Sequence, residues 1–356
     1  MPAALSALPY ALGFLLPPLV WWSAHQGSAW VWLPLVVLYV GIPVVDALAG
    51  LNQTAPTAEQ ITSLERNPWF RLVTWTWVPV QVWLVIWAVD TAVMPAQSPG
   101  AWVALLFAVG SIHGAIGITY AHELVHRSRR VERLLGDVLL ATVSYPHFAV
   151  EHVYGHHRHV ATPADPATAQ LGEGFYHFWP RTVWGGMRHA WTIRPRTVSR
   201  YIGTMAAVYA AVLWHWGAEG LVFFVLQGVL AFTLLEAINY VEHYGLQRRE
   251  LAPGRYERVG PAHSWDSSHR ISNWLLINLA RHADHHLTAS RRYQALASQE
   301  QAPQLPAGYA TMVLLAFVPP LWRKVMDPRV VTCRSSAPAP ARTPGSSDPQ
   351  RPSQSR

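Results

Sequence analysis

Long apolar segments constrain the fold of this chain more than any other feature of its sequence. They are poor in charged residues, and several approach the roughly 20 residues with which an α-helix crosses the hydrocarbon core of a bilayer. A helical soluble core would not need runs this long and this poor in charge. We therefore expect an all-α integral membrane protein with about six transmembrane helices. The segments lie near residues 5–22, 29–50, 69–90, 100–121, 198–215 and 219–240.

The loops between these segments predict the orientation of the chain. Three short loops on one side of the predicted helices contain no Lys or Arg. The other side carries Arg66, the arginine-rich stretch 122–197 and everything after residue 245. Because lysine and arginine mark the cytoplasmic side of a membrane protein, we expect three helical hairpins and a large, histidine-rich cytoplasmic region. Both termini then face the cytoplasm, in a bacterial inner (plasma) membrane. The loops without Lys or Arg are 24–28, 90–100 and 215–220.

Cysteine usage and the two ends of the chain set further limits. Cys333 is the single cysteine, so an internal disulfide and any site built from four cysteines are excluded. Residues 1–10 contain no basic residue, so we expect no cleaved signal peptide. From about residue 334 the chain is rich in Pro, Ser and Ala. We expect a membrane-embedded domain over 1–325 and a disordered tail over 326–356.

Histidine is unusually frequent, and its placement is more informative than its number. Half of the 18 histidines fall into four short motifs, HELVHR (122–127), EHVYGHH (151–157), NYVEHYG (239–245) and RHADHH (281–286). No packing requirement repeats histidine at one-turn spacing in this way, so we interpret these nine as metal ligands. The candidate ligands are His122, His126, His152, His156, His157, His243, His282, His285 and His286.

The four motifs are placed so that they can meet. The first and third directly follow apolar segments, and all four lie on the predicted cytoplasmic side. His122 and His126 share a helix face, and His152 and His156 repeat that spacing. Nine imidazoles are too many for one catalytic zinc, which takes three protein ligands, but they fit two metals with four or five ligands each. Imidazole suits zinc, copper, iron and nickel, so the ligand type alone does not name the metal.

Acidic residues accompany the motifs. Such carboxylates accept N–H bonds from ligating imidazoles and fix their tautomer and orientation, although they could also coordinate a metal. The other nine histidines are expected to serve packing, with His113 and His269 as the first candidates for exceptions. The acids that we assign to the catalytic site are Glu123, Glu151, Glu242 and Asp284.

Two other functions are suggested by parts of this pattern. The first motif alone matches the H-E-x-x-H pattern of zinc proteases, in which two histidines bind the metal and the glutamate is the general base. That interpretation leaves seven clustered histidines without a role. A metal transporter would hold its ligands at mid-membrane depth, whereas these lie at the ends of apolar segments and beyond. Both interpretations are therefore disfavoured.

The four motifs resemble those of the membrane-bound alkane 1-monooxygenases, or alkane hydroxylases, within the histidine-rich membrane di-iron superfamily that includes fatty-acid desaturases. The desaturase-like pattern needs the first, second and fourth motifs, and the third is the hydroxylase-type addition. The stretches ATPADPATAQLGEGFYHFWPRT (161–182) and RRYQAL (291–296) extend the resemblance, which runs from about 40 to 325. Two departures, Arg127 for lysine and ARHADHH for QRHSDHH, leave every histidine in place.

The resemblance implies a non-haem di-iron centre held by the nine histidines, with O2 as co-substrate. It implies terminal hydroxylation of medium- or long-chain n-alkanes to 1-alkanols, with the alkane taken from the bilayer. It also implies electrons from a separate rubredoxin, supplied by an NAD(P)H-dependent rubredoxin reductase, since one cysteine cannot build a rubredoxin iron site. The cytoplasmic arginines would bind either an acidic electron carrier or the head groups of anionic membrane lipids. No nucleic-acid partner is expected.

The substrate class leaves alternatives open. A site just under the bilayer suits a lipid-dissolved molecule, and one methylene changes binding by only about 1 kcal/mol, so we expect tolerance across chain lengths. A xylene-type side-chain monooxygenase and a fatty-acid desaturase or hydroxylase of the same superfamily are the competing functions. The bulky residues that are candidates to limit a substrate channel are Trp75, Trp77, Trp83 and Phe107.

Overall fold

The computed structural model describes residues 4–95 and 97–335, and nearly all of the regular structure in these ranges is helical. The one sheet there is an antiparallel pair, Glu250–Ala252 and Arg255–Tyr256. The all-α prediction is therefore confirmed. The first half contains the helices Leu8–Leu15, Leu16–Gln26, Ser28–Trp32, Leu33–Val36, Val37–Gly41, Ile42–Ala49, Ala58–Arg66, Pro68–Ala92, Pro99–Ile112, His113–Gly117, Ile118–Val125, Arg130–Thr142, Phe148–Val150, Glu151–His156 and His157–His159. The second half contains Phe175–Ile193, Pro195–His243, Pro261–His263, Arg270–Leu275, His282–Leu287, Tyr293–Ala295, Tyr309–Ala316 and Pro319–Ser335.

Four helical stretches in the described part of the chain are long and apolar enough to cross a membrane. This finding supports the prediction of an integral membrane protein. The helices begin where local sequence allows. Asn67 and Ser98 accept hydrogen bonds from the backbone N–H groups of Trp69 and Ala101, and a proline follows each cap. The four stretches are Ser28–Ala49, Pro68–Ala92, Pro99–Val125 and Pro195–His243.

The stretch Pro195–His243 is two helices joined at Gly217, and we call it the Gly217 hairpin. Gly217 has φ 69° and ψ −169°, which break the helix. Tyr209 and Phe224 lie on either side of this glycine with ring centroids 6.2 Å apart. Residues so far apart in one straight helix would be separated by about 22 Å. The chain therefore turns back on itself here, and the four stretches match five of the six predicted segments.

The first predicted segment, 5–22, has a different form. It consists of the 3-10 helix Leu8–Leu15 followed by the α-helix Leu16–Gln26, and it is not among the four stretches above. Pro17 and Pro18 lack backbone N–H donors, so they interrupt the hydrogen bonds of a continuous α-helix.

The arginine-free loops lie at one end of the bundle. The ring of His25 stacks near that of Trp87 with centroids 6.4 Å apart. Trp216 Nε1 donates a hydrogen bond to Asp90 Oδ1 at 3.3 Å. These contacts join the ends of three different helical segments. The three short loops that were predicted to share one side of the membrane are therefore neighbours.

Close backbone packing aligns the helices that carry the first and third motifs. A Cβ on Gly114 would lie 2.6 Å from the carbonyl oxygen of Ala231, and a Cβ on Gly110 would lie 2.8 Å from Leu230 Cβ. Glycine at these positions lets Pro99–Val125 approach the second limb of the Gly217 hairpin. The two helices therefore end side by side, and their histidines are brought together.

The last helix, Pro319–Ser335, extends beyond the predicted domain boundary at residue 325. Trp322, Met326 and Val330 are buried. Tyr244 Oη, in the third motif, donates to Asp327 Oδ1 at 2.5 Å. The predicted tail 326–356 therefore begins too early, because its first ten residues belong to a helix packed on the site. Residues 336–356 lie outside the described ranges.

Candidate metal centre

The four histidine motifs meet at one end of the helix bundle. The first stands at the end of Pro99–Val125, and the third stands at the end of the Gly217 hairpin. The second motif forms the π-helix Glu151–His156 and the residue that follows, and the fourth forms the short α-helix His282–Leu287. All nine predicted ligands are buried or half-buried. Local structure and packing together thus place every one of them at the same site.

Within the described ranges, the nine histidines form two groups. In each group, one ring nitrogen of every histidine lies within 4.8 Å of the corresponding nitrogens of the others. The division into five and four matches the number of ligands expected for two metal ions. The first group is His122, His126, His152, His157 and His285, and the second group is His156, His243, His282 and His286.

The spacing of the Nε2 atoms fits ligands of a shared metal. His157 Nε2 lies 3.1 Å from His152 Nε2 and 3.0 Å from His285 Nε2. In the second group, His282 Nε2 lies 3.1 Å from His243 Nε2 and 2.9 Å from His286 Nε2. Two nitrogens that bind one metal at about 2.1 Å, at right angles to each other, are about 3.0 Å apart.

Unpartnered ring nitrogens support the same conclusion. Among the described residues, the Nε2 atoms of His122, His126 and His156 are buried without a hydrogen-bond partner. A buried polar atom left without a partner costs about 1–3 kcal/mol. A metal ion in each group would bind these nitrogens and remove that cost. The donor set therefore fits metal binding.

The second motif departs from the α-helical spacing that we expected. Residues four apart share a face of an α-helix, which would put His152 and His156 together. Glu151–His156 is instead a π-helix, in which hydrogen bonds join residues five apart. His152 therefore joins His157 in the first group, while His156 turns to the second. The fourth motif is also divided, because His285 alone of its three histidines joins the first group.

Burial favours the neutral form of most of these imidazoles, whereas the neighbouring carboxylate of Asp165 raises the pKa of His156. Desolvation lowers the pKa of His152, His157 and His285 well below its usual value, and neighbouring histidines lower it further. The same two causes lower the pKa of His282 and His286. A neutral imidazole offers a lone pair, and this is the form that binds a metal.

Asp165 orients His156, and our sequence reasoning missed it. Asp165 Oδ2 accepts a hydrogen bond from His156 Nδ1 at 2.9 Å and another from Thr168 Oγ1 at 2.6 Å. Burial alone would raise the pKa of Asp165, but its contacts with His156 and Thr168 lower it to about 2. The charged carboxylate keeps a proton on Nδ1, which leaves Nε2 free for a metal. The available signal was the position of Asp165 in the stretch 161–182, which extends the family resemblance.

Glu242 and Glu151, two of the four predicted acids, contact histidines. Glu242 Oε1 lies 3.2 Å from His282 Nδ1 and accepts from Tyr309 Oη at 3.2 Å. This placement is the one that we expected for an orienting carboxylate. Glu151 Oε1 instead lies 3.1 Å from Nδ1 of His189, a histidine outside both groups.

The other two predicted acids, Glu123 and Asp284, contact arginines. Glu123 Oε1 lies 3.5 Å from Arg127 Nε and 3.8 Å from Arg292 Nη1. Asp284 accepts two hydrogen bonds from Arg291 Nη1, at 2.5 and 2.6 Å. These acids therefore hold arginines beside the site rather than orient imidazoles. Glu123 is also poorly placed for the general base of a protease.

The two histidines that we named as exceptions lie elsewhere. His113 Nδ1 is 2.8 Å from Gln227 Oε1, within the bundle. His269 Nδ1 is 2.9 Å from Ser267 Oγ. Neither belongs to a metal-binding group. Their roles are structural hydrogen bonds.

A narrow cavity, which we call the metal cavity, lies over histidines of both groups. His122 and His152 of the first group line it, together with His282 of the second. It has room for about one water-sized or methyl-sized group. Ile238 lines this cavity and also a larger apolar groove of about 680 Å³, open mouth included. The groove therefore leads toward the histidines.

The walls of the apolar groove differ from those that we expected. Leu38, Tyr39 and Leu276 are among its lining residues, and Tyr39 Oη lies 2.5 Å from Ser111 Oγ. The predicted channel-limiting residues line neither the groove nor the metal cavity. These residues are Trp75, Trp77, Trp83 and Phe107.

Together, the membrane-crossing helices and the paired histidine groups define a class of integral membrane metalloprotein. The family model described as fatty acid desaturase matches residues 96–316, which include all four motifs. The chain thus falls within the superfamily that the histidine motifs suggested.

Comparison with individual proteins narrows the assignment. Alkane 1-monooxygenase 2 of Pseudomonas aeruginosa is 40% identical over 336 residues, with 88% of each chain covered. Alkane 1-monooxygenase of Acinetobacter baylyi is 38% identical over 309 residues, with 83% of this chain and 76% of the relative covered. The hydroxylase component of xylene/toluene monooxygenase of Pseudomonas putida is 25% identical over 317 residues, with 84% and 82% covered. The chain belongs to the alkane 1-monooxygenase family.

Proposed function

We propose that this protein hydroxylates the terminal carbon of medium- or long-chain n-alkanes to give 1-alkanols. The reaction uses O2 and a non-haem centre of two irons held by the nine histidines. Electrons come from a separate rubredoxin, which an NAD(P)H-dependent reductase reduces. The observation that carries the proposal is the arrangement of two histidine groups, with five and four ligands, beneath a cavity that adjoins an apolar groove.

The residues divide the task of holding the metals. The first group would hold one iron, and the second group would hold the other. Asp165 keeps the proton of His156 on Nδ1, and Glu242 lies at the same nitrogen of His282. When bound, the irons supply the redox and Lewis-acid chemistry that activates O2. Burial excludes bulk water from the site, which protects the reaction from side products.

The apolar groove suits an alkane chain taken from the bilayer. Its lining is mainly aliphatic, and it meets the metal cavity at Ile238. A chain that lies in the groove would direct its terminal methyl group past Ile238 toward His122 and His282. The metal cavity admits only a small group, so it would favour attack on the end of the chain over attack on an internal carbon.

Basic residues near the second motif suit an acidic electron carrier. Arg194 lies over the ring of Tyr154, with its guanidinium carbon 3.8 Å from the ring centroid. Arg248 Nη2 donates to the carbonyl oxygen of Arg158 at 3.2 Å, and Arg158 directly follows the ligand His157. A negatively charged carrier would approach such a surface faster than a neutral one. We place this surface in the cytoplasm, on the inner face of a bacterial plasma membrane.

The test is elemental analysis and product analysis of one preparation. The purified protein in nanodiscs is analysed for iron and zinc, then given dodecane, O2, rubredoxin, reductase and NADH. Two irons per chain and 1-dodecanol are expected. One zinc without alkanol would refute the proposal and return attention to the H-E-x-x-H pattern.

A xylene-type activity is the second candidate, because the xylene/toluene monooxygenase component is a relative over most of the chain. It differs in the substrate that the groove must admit. The same preparation is therefore also given m-xylene. Benzylic alcohol without alkanol would favour this second function.

A further inference from the structure

The proposed reaction consumes protons that the metal cavity does not supply. One oxygen atom of O2 enters the C–H bond and the other leaves as water, which takes up two electrons and two protons. The electron carrier supplies electrons alone. The histidines that line the cavity are metal ligands, and its one carboxyl group, on Glu242, lies at Nδ1 of His282. Much of the remaining wall is apolar, as at Leu235, Ile238 and Leu279. Protons must therefore reach this cavity from solvent.

A second, more polar cavity lies behind the metal cavity, and we call it the polar chamber. Phe148 and Asn239 line both cavities, so they form the partition between them. The polar chamber has room for about one water molecule. Glu151, Thr182 and Glu236 are among the polar residues of its wall.

Glu236 is a buried carboxylate on the wall of this chamber, within a membrane-crossing helix. Tyr145 Oη donates to its Oε1 at 2.9 Å, and Thr182 Oγ1 donates to its Oε2 at 2.9 Å. Asn239 Nδ2 donates to the same Oε2 at 3.2 Å. None of these partners is one of the nine histidines. An ionisable group inside a membrane helix is costly and marks a function, and orienting a ligand is not the function here.

His189 connects the chamber with solvent. Its side chain is 20% exposed, and its Nδ1 lies 3.1 Å from Oε1 of Glu151, a chamber residue. A Cβ on Gly155 would lie 2.7 Å from His189 Cε1, so glycine leaves the space for the ring. The hydrogen bond to Glu151 raises the pKa of His189, so this partly exposed ring takes up a proton from water more readily than a free imidazole does.

We propose that His189 and Glu236 carry protons from solvent to the metal cavity through a water molecule in the polar chamber. Asn239 is a positioning residue that holds Glu236 at the partition. His189 takes each proton from solvent and hands it on through its hydrogen bond with Glu151 to the chamber water. This water passes the proton to Glu236, which releases it across the partition at Asn239 toward the oxygen atom that leaves as water. Both side chains end each turnover in their initial state. This inference rests on the proposed function, which supplies the electrons and the O2.

The kinetic test compares H189A and E236Q with the wild type. General acid catalysis contributes about 10²–10⁴-fold, so kcat of E236Q should fall by about 100-fold. The KM for dodecane should not change, because the alkane lies in the apolar groove and not in the polar chamber. The solvent deuterium isotope effect on kcat should increase in both variants, and added imidazole should restore H189A but not E236Q. H177A removes an exposed histidine from the same helix, Phe175–Ile193, and should match the wild type.

A second test needs no turnover. Cryo-electron microscopy of the purified wild type should resolve a water molecule in the polar chamber, between Glu151 and Glu236. Iron content and the thermal transition show whether E236Q and H189A fold, and the two variants test opposite ends of the same path.

Three results would overturn the relay. They are wild-type kcat in both variants, an unchanged solvent isotope effect, or a chamber without water. A wild-type protein that makes no alkanol would refute the proposed function, and the relay with it. Alkanol from the wild type with unaffected variants would refute the relay alone.

Discussion

Replacement of Asp165 by Asn isolates the role of a carboxylate that touches a single proposed ligand. Asp165 Oδ2 accepts hydrogen bonds from His156 Nδ1 at 2.9 Å and Thr168 Oγ1 at 2.6 Å, and Oδ1 accepts one from Ala167 N at 3.1 Å. An asparagine has one acceptor oxygen for these three donors. If its oxygen faces Ala167, its NH2 group faces His156 Nδ1. The imidazole must then carry its proton on Nε2, where it cannot bind a metal.

The size of the effect follows from this contact. Loss of a partner that orients a metal ligand costs about 10–100-fold in metal affinity, or about 1.4–2.7 kcal/mol. A buried hydrogen bond to a charged group contributes about 1.5–3 kcal/mol, which is close to this loss of metal-binding free energy. The cost should fall on the second group alone, because His156 is its member and the first group keeps all five histidines.

The assay is titration of the iron-loaded protein with a chelator, with iron counted per chain after desalting. D165N should release one iron at about 10–100-fold lower chelator concentration than the wild type and retain the other. D137N is the matched control, because Asp137 contacts Tyr201 Oη and no clustered histidine. Release of both irons at wild-type concentrations would refute the assignment of Asp165 to His156.

Three further predictions concern other parts of the protein. H243A should lose alkanol production while the protein still inserts into membranes, and full activity would remove His243 from the site. Y39A should shift the products toward longer alkanols, because it removes a ring from the wall of the apolar groove, whereas S111A should leave chain length unchanged; gas chromatography of a mixed-alkane reaction decides. R127K should lower the free energy of unfolding by about 1–3 kcal/mol, measured as a lower thermal transition in detergent. Arg127 donates from separate nitrogens to the carbonyl oxygens of Glu123 and Ser290, and the single ammonium group of lysine cannot reproduce this geometry. An unchanged transition would contradict this account.

The sequence was sufficient to predict the histidine groups because candidate ligands of one residue type are gathered in four short motifs. Residue type and cluster position identified all nine members without any knowledge of distances. Apolar length identified five of the six predicted segments in the same way, and the three arginine-free loops proved to be neighbours at one end of the bundle. These signals depend on composition over short stretches, so they can be recognised without knowledge of the tertiary structure.

The assignment of each histidine to a group was not predictable from spacing. A π-helix differs from an α-helix by one residue in the spacing of its hydrogen bonds, and no residue in EHVYGHH specifies that difference by itself. The packing of Gly155 against His189 and Glu151 shows that tertiary contacts accompany this local conformation. Spacing rules therefore fail where the helix type is set by its surroundings.

The carboxylates show a similar limit. Proximity in sequence to a histidine suggested Glu123 and Asp284, yet both contact arginines. Asp165 lies nine residues beyond its histidine and reaches it through a turn. Whether two side chains nine residues apart are in contact depends on the path of the loop between them. The local amino-acid pattern does not specify that path.

The fourth motif supplies His285 to the first group and His282 and His286 to the second. A ribosome must therefore synthesise about four-fifths of the chain before either group has all of its members. All four membrane-crossing stretches precede this motif in the chain. Neither group can therefore bind a metal with its full set of histidines until the fourth motif has been made. A nascent or truncated chain that ends before residue 282 would expose six imidazoles that can bind the wrong metal.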